Sequence, residues 1–338
     1  MLRYEIQKYG GPEGLKLVDR PLAEPGDRDV VVRIKAASLN YRDLVVLRGR
    51  YDRDPVQGRV PLSDGAGEVA AVGASVTKFK VGDRVAGCFF QGWEAGRFES
   101  EMHRTALGGA IDGVLAEQVL FHEEGLVHLP GNYSFSEGAT LPCAAVTAWQ
   151  ALIVRGQLFP GETVLLLGTG GVSIFGLQIA KSAGAKVIIT SSSDEKLERA
   201  RKLGADEIIN YKTTPEWGKA AASLAGNEGV DHVIEVGGAG TFLQSVRACR
   251  FGGKIGLIGI LSGLEVKTEL FPIVHKSATV FGIYVGSREM FVGMNRALEQ
   301  SGVRPVIDKV FPFAAAAEAY EYMASGSHFG KVVIQVGE

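Results

Sequence analysis

The chain is poor in cysteine: Cys88, Cys143 and Cys249 are the only three in 338 residues, and none belongs to a CxxC pair. That excludes a disulfide framework and a cysteine-rich zinc cluster, and fits a cytoplasmic protein with ordinary buried thiols. Six histidines offer no helix-spaced pair. An excess of one charge is also missing. With 36 Lys and Arg against 38 Asp and Glu, the net charge of −2 leaves no footprint for nucleic acid and no ionic tail. Long apolar runs are absent as well. The longest, "ATLPCAAVTAWQALIV", is broken by Pro142, Thr147 and Gln150 and reads as a buried helix, not a membrane span. The N-terminal "MLRYEIQKYGG" has no apolar signal-peptide core and reads as strand.

What the chain has in plenty is glycine, 45 residues, roughly twice the average share, which fits many tight turns. The length suits two domains. From Arg3 to about Leu129, short β-rich runs such as "DVVVRIKAASL", "GAGEVAAVG" and "LAEQVLF" alternate with Gly and Pro, predicting a strand-rich domain with long loops. From Gly161 the rhythm becomes strand and helix in turn. "ETVLLLG", "KVIITS", "EIINY", "HVIEVG", "KIGLIG" and "TVFGIYVG" are six strands between amphipathic helices, predicting a doubly wound parallel sheet, α/β in class. The tail from Arg288 carries two helices and a last strand, "KVVIQV", and is expected to return to the N-terminal domain.

"VLLLGTGGVSIFG" sets Gly168, Gly170 and Gly171 between the first of these strands and its helix, with Val172 following. A sharp turn and a close approach of pyrophosphate to main-chain N–H groups both call for glycine there. The third fingerprint position is Ser173, small but not glycine. The second strand of such folds ordinarily ends in an acid that binds the ribose hydroxyls. Here "KVIITSSSDEK" ends in Ser191, followed by Ser192 and Ser193, with Lys196 one turn into the helix and Tyr211 at the end of the third strand. Without a carboxylate, the repulsion of a 2′-phosphate is lifted, and hydroxyls with a lysine can hold one, so NADPH is the expected cofactor. The competing reading is that the serines only cap the helix.

In these segments, and in "AASLNYRDLVVLRG", "KVGDRVAG", "GATLPCAAVTAWQAL" and "KLGADEIINYK", the chain resembles the medium-chain dehydrogenase/reductase superfamily, and its zinc-free quinone oxidoreductase-like branch in particular. The resemblance implies a Rossmann NADP-binding domain over 143–286 and a discontinuous GroES-like catalytic domain over 1–142 and 287–338, with the active site in the cleft between them. It also implies a homodimer or homotetramer formed through strand 279–285. Where zinc-dependent members carry ligands, this chain has Asn40, Ser63 with Asp64, and Cys143, too poor a set for catalytic zinc.

Without a metal, hydride transfer needs an acceptor that spreads the arriving charge, such as a quinone or an α,β-unsaturated carbonyl. Tyr41 is the expected oxyanion donor or proton source, with Asn40 and Thr147 orienting nicotinamide or substrate. Tyr51, Trp93 and Tyr284 are expected around the small-molecule substrate, although core packing explains each aromatic equally well. Arg42 and Asp43 read as an ion pair or turn cap. Val236, Gly237, Gly259, Ile260, Leu261, Phe281 and Ile283 are expected along the dinucleotide, with Phe329 and Lys331 closing over it by the resemblance. A zinc-independent alcohol or aldehyde oxidoreductase and a non-catalytic NADPH-binding protein are the alternatives.

Overall fold

The continuous Val, Ile and Leu runs form the predicted parallel sheet. In the computed structural model its six strands lie in the order Glu207–Asn210, Lys186–Ser191, Thr163–Leu167, Val230–Glu235, Cys249–Leu257, Thr279–Gly282. The first strand in sequence is central and the order reverses beside it, which is the doubly wound arrangement that leaves a crevice at the strands' carboxyl ends. The central strand is buried along its whole length, as a sheet covered on both faces requires. The structure describes residues 1–51, 55–259, 261–263, 265 and 269–337; the expected dinucleotide residue Ile260 lies outside them.

Two compact units divide the chain, Met1–Val146 with Val285–Glu338, and Thr147–Tyr284. In the first, a seven-stranded sheet runs Ile307–Pro312, Lys331–Gln335, Asp29–Leu39, Asp64–Val72, Arg84–Gly87, Leu126–His128, with Gln118–His122 also paired to Asp29–Leu39. The C-terminal strand thus pairs antiparallel with an N-terminal one, Val332 opposite Leu39. The N-terminal stretch is strand, as expected, but Leu2–Ile6 pairs with Leu15–Asp19 in a separate two-stranded sheet. The core beneath the main sheet is built from Ile34, Leu39, Leu47, Leu62, Leu115, Tyr320 and Ile334 and their neighbours. The apolar run around Cys143 is helical from Leu141 to Val154, with wide π turns at both ends of a single α turn. Among the described residues no helix is long and apolar enough to cross a membrane.

Candidate functional site

The glycine turn opens the helix Gly171–Ser182 directly after the central strand. Gly168 has φ +72°, a conformation that costs a residue with a Cβ. A Cβ added at Gly168 or Gly170 would meet no protein atom within 4 Å, so the space beside this backbone is open. No side chain caps the helix at Gly170, which leaves its first-turn N–H groups and positive dipole end to an incoming anion. Gly171 and Val172 are half-buried at that end. Ser173, the departure from the fingerprint, is buried and donates its hydroxyl to the Leu167 carbonyl at 2.6 Å, tying the helix to the strand end. These features fit the pyrophosphate of a dinucleotide.

At the neighbouring strand end the structure brings Ser191 and Tyr211 together: Asn210 pairs opposite Ser191, and the Tyr211 N–H donates to the Ser191 carbonyl at 3.1 Å. Ser191 is buried, and its Oγ accepts the Ser193 N–H. Ser193 caps the helix Asp194–Lys202, its Oγ accepting the Lys196 N–H. The capping reading therefore describes Ser193. Ser192 and Lys196 are half-buried and Tyr211 is exposed. Asp194, the first residue of that helix, accepts the Asn210 amide at 2.7 Å.

At the end of Val230–Glu235, the wholly buried carboxylate of Glu235 accepts the N–H groups of Gly237 and Gly238 at 2.7 and 2.9 Å, and the hydroxyls of Thr241 and Ser245. It shapes the Val236–Gly238 loop that the sequence points to, a role that no sequence signal marked. Gly259 packs under the same loop, where a Cβ would lie 2.1 Å from the Val236 carbonyl oxygen. Leu261 is exposed. Phe281 is buried, with the Arg155 guanidinium over its ring at 5.2 Å, and the Ile283 N–H extends the sheet by donating to Leu257 at 2.9 Å. In this unit Thr147 is buried on the helix Val146–Trp149 and Tyr284 is half-buried.

In the other unit a second group of candidates converges. Strand Lys331–Gln335 begins, strand Asp29–Leu39 ends and strand Asp64–Val72 begins at the same end of an antiparallel sheet. That register gathers Lys331, Asn40 and Asp64. The Lys331 ammonium, expected at the dinucleotide, is buried and donates to the Asn40 Oδ1 at 2.6 Å and the Leu39 carbonyl at 2.7 Å, with Asp64 Oδ2 at 3.9 Å. Asp64 also accepts the Ser63 hydroxyl at 2.7 Å and the Cys143 N–H at 3.1 Å. Leu62, just before Ser63, is wholly buried at φ +69°, a strained conformation for a branched side chain.

Burial raises the Asp64 carboxyl above its usual range, against the lowering pull of Lys331, Ser63, Asn40 and the Cys143 N–H. The Asn40 Nδ2 stands close enough to contribute, yet completes no hydrogen bond of good geometry. Burial first, and Asp64 next, push the Cys143 thiol far up. Asp43 is raised to about 6 by burial, against the lowering charge of Arg42.

Helix Tyr41–Leu47 follows Asn40, whose N–H donates to the Asp43 carboxylate at 2.8 Å. Arg42 donates to the Leu107 carbonyl at 2.7 Å, reaches Asp43 at 3.5 Å and lies over the rings of Tyr51 and Phe89. Tyr51 lines a cavity of about 540 Å³ with Tyr9, Arg59, Arg104 and Gly109. Tyr41 is 41% exposed. Trp93, expected at the substrate, is buried against Phe90 and Phe98 and donates its indole N–H to the Gly96 carbonyl at 3.1 Å. Phe329 is likewise buried.

Zinc does not fit the set Asn40, Ser63, Asp64 and Cys143. An ammonium group lies 2.6 Å from Asn40 Oδ1 and 3.9 Å from Asp64 Oδ2, and among the described residues no group of three or more His, Cys, Asp or Glu could hold a metal ion.

Residues 26–131 match the alcohol dehydrogenase GroES-like domain, and residues 171–300 match the zinc-binding dehydrogenase family. A zinc-type alcohol dehydrogenase-like protein of Schizosaccharomyces pombe is 46% identical over 318 residues, 92% of this chain and 91% of that protein. A quinone oxidoreductase of Rattus norvegicus is 29% identical over 343 residues, covering 99% of this chain and 97% of its own. Among solved structures, an NAD-dependent alcohol dehydrogenase superimposes with a TM-score of 0.92 at 36% identity, both chains being covered in full at 100%. With the Rossmann-type sheet, the GroES-like unit and these relatives together, the chain belongs to the medium-chain dehydrogenase/reductase superfamily of oxidoreductases.

Proposed function

We propose that the protein is an NADPH-dependent reductase of quinones or α,β-unsaturated carbonyls that works without zinc. The observation that carries this reading is the donor set of Asn40, Ser63, Asp64 and Cys143, which a buried ammonium completes and a metal does not. An acceptor must then be one whose own conjugation takes up the arriving charge. Quinones and enones meet that demand with one or two hydrogen-bond donors at the oxygen. The name of the rat relative points the same way.

When bound, the reduced nicotinamide dinucleotide supplies the hydride. The open backbone at Gly168 and Gly170 and the uncapped N–H groups of the helix Gly171–Ser182 receive its pyrophosphate. Ser192, Lys196 and Tyr211 hold the 2′-phosphate beside a strand that ends in Ser191 in place of an acid, which favours NADPH although one structural relative is named NAD-dependent. Asn40 and Thr147 orient the reacting groups, and the exposed Tyr41 phenol donates to the developing oxyanion. Two copies associate along strand Thr279–Gly282, the edge of the six-stranded sheet, near which Phe251, Phe271 and Val274 are exposed.

Steady-state assays with NADPH and NADH against quinones, enones and saturated ketones, with and without chelator, test this reading. NADPH with a conjugated acceptor is expected to be preferred and chelator to have no effect. The names of the alcohol dehydrogenase relatives favour a second reading, a metal-free alcohol or aldehyde oxidoreductase, which turnover of saturated ketones would select. Saturated-alcohol oxidation that chelator abolishes would defeat both.

A further inference from the structure

We infer that Lys331 is the resident cation of this site: its ammonium lies against the Asn40 and Asp64 members of the donor set, neutralises Asp64 and fixes the Asn40 carboxamide. The inference deepens the metal-free reading above and rests on it.

Three features of the geometry lead there. The ammonium has only donors, so the Asn40 atom 2.6 Å from it must be the amide oxygen. Lys331 thereby decides which end of the amide faces inward and leaves Nδ2, a donor, on the other side. The Nδ2 atom is itself buried, and the orientation fixed by Lys331 turns it toward Asp64, close enough to lower that carboxyl although it completes no hydrogen bond of good geometry. The charges also balance. Two buried acids, Asp43 and Asp64, face the half-buried Arg42 and the buried Lys331, and each acid responds to Lys331. Taking out one member would leave an uncompensated charge in a dry interior. Finally, the arrangement is built by the sheet. Lys331 opens the strand whose next residue, Val332, pairs with Leu39, and Asp64 pairs with Ser38, so backbone register delivers the lysine to the space between the two neighbouring strand ends. A flexible surface lysine would owe its position to nothing of the kind. Lys331 is therefore a positioning residue. Its role differs from the closing contact on the dinucleotide that the resemblance implies, because its ammonium is already committed to Leu39 and Asn40.

The test is a double-mutant cycle on the full chain, with Lys331→Met, Asp64→Asn and the pair together, read by thermal melting and by NADPH titration, alongside metal analysis of the native protein. Removing the cation alone is expected to lower the melting temperature by roughly 6–12 °C, from the cost of breaking a buried ion pair in a unit of this size. Combining it with Asp64→Asn restores at least half of that loss, because the orphaned carboxylate is gone. A lysine that merely fills space would give additive losses. NADPH affinity of the double variant falls by less than tenfold, through the released Asn40 carboxamide and not through a lost contact with the dinucleotide.

Additive losses, including a pair that folds no better than Lys331→Met alone, would overturn the inference while leaving metal-free catalysis standing. So would NADPH affinity reduced tenfold or more in the double variant, which would return Lys331 to the dinucleotide. Stoichiometric zinc in the native protein would overturn the inference and the metal-free reading together.

Discussion

At Gly168 and Gly170 an added Cβ would meet no protein atom within 4 Å, whereas around Lys331 the oxygens of Leu39, Asn40 and Asp64 are taken up by the chain's own ammonium. One region is made of glycine and main-chain N–H groups and is unfinished without a ligand. The other is made of side chains and is largely finished without one. Two wholly buried carboxylates extend the contrast: Glu235 is held by two N–H groups and two hydroxyls, while Asp64 has one of each and a cation at 3.9 Å. Neutral dipoles suffice to bury a carboxylate in this protein. The lysine beside Asp64 is thus a feature of that site and not a general requirement for burial.

The contrast predicts opposite behaviour on substitution. The largest effect belongs to Asp64→Ala, which strands Lys331 as a buried charge and should cost about 4 kcal/mol of stability in chemical denaturation. NADPH affinity should be nearly untouched, and a native-like denaturation midpoint would break the contrast from one side. Gly170→Val should do the reverse. Its side chain enters open space, so the melting point holds, while NADPH binding measured by calorimetry weakens about 100-fold, or about 2.7 kcal/mol. Unchanged affinity would break the contrast from the other side.

A third prediction sharpens the electrostatics of the closed region. Asp43, facing Arg42, Asp64, Lys331 and Tyr320, is raised to about 6, above its unfolded value near 4. Between those values the folded protein holds a proton that the unfolded chain has released, so this group makes stability fall as pH rises from about 4 to about 6, and the penalty is complete above that. The difference in unfolding free energy between the native protein and Asp43→Asn should change by about 2 kcal/mol across that window and be flat from pH 7 to 8. A flat difference throughout would place the charge balance elsewhere. The smallest effect is expected from Ser191→Asp at the open edge: restoring the acid should lower the preference for NADPH over NADH about tenfold, or about 1.4 kcal/mol, in kcat/KM ratios.

Much of this was legible in the letters, and what was not has a physical pattern. The six strands showed because buried parallel strands are written as unbroken apolar runs, and the glycine turn showed because a close backbone approach leaves few residue choices. Ser173 was visible as a departure, but its bond to the Leu167 carbonyl was not, since a hydroxyl in sequence does not announce its acceptor. Trp93 could not be sorted between pocket and core, because an indole serves both equally. Lys331 was the hardest. It pairs with a residue 291 positions away through sheet register, and "GKVVIQV" carries no mark of Asn40. Contacts set by a local turn can be read from spacing, whereas those set by strand pairing between distant segments require the fold.

The most direct test is the rate of NADPH oxidation by a conjugated enone or quinone, followed by absorbance on protein first shown to be free of metal and then assayed with excess chelator. The same rate with and without chelator, and no gain on adding Zn²⁺, is the expected result. A rate that vanishes in the metal-free protein and returns with Zn²⁺ would contradict the account at its centre.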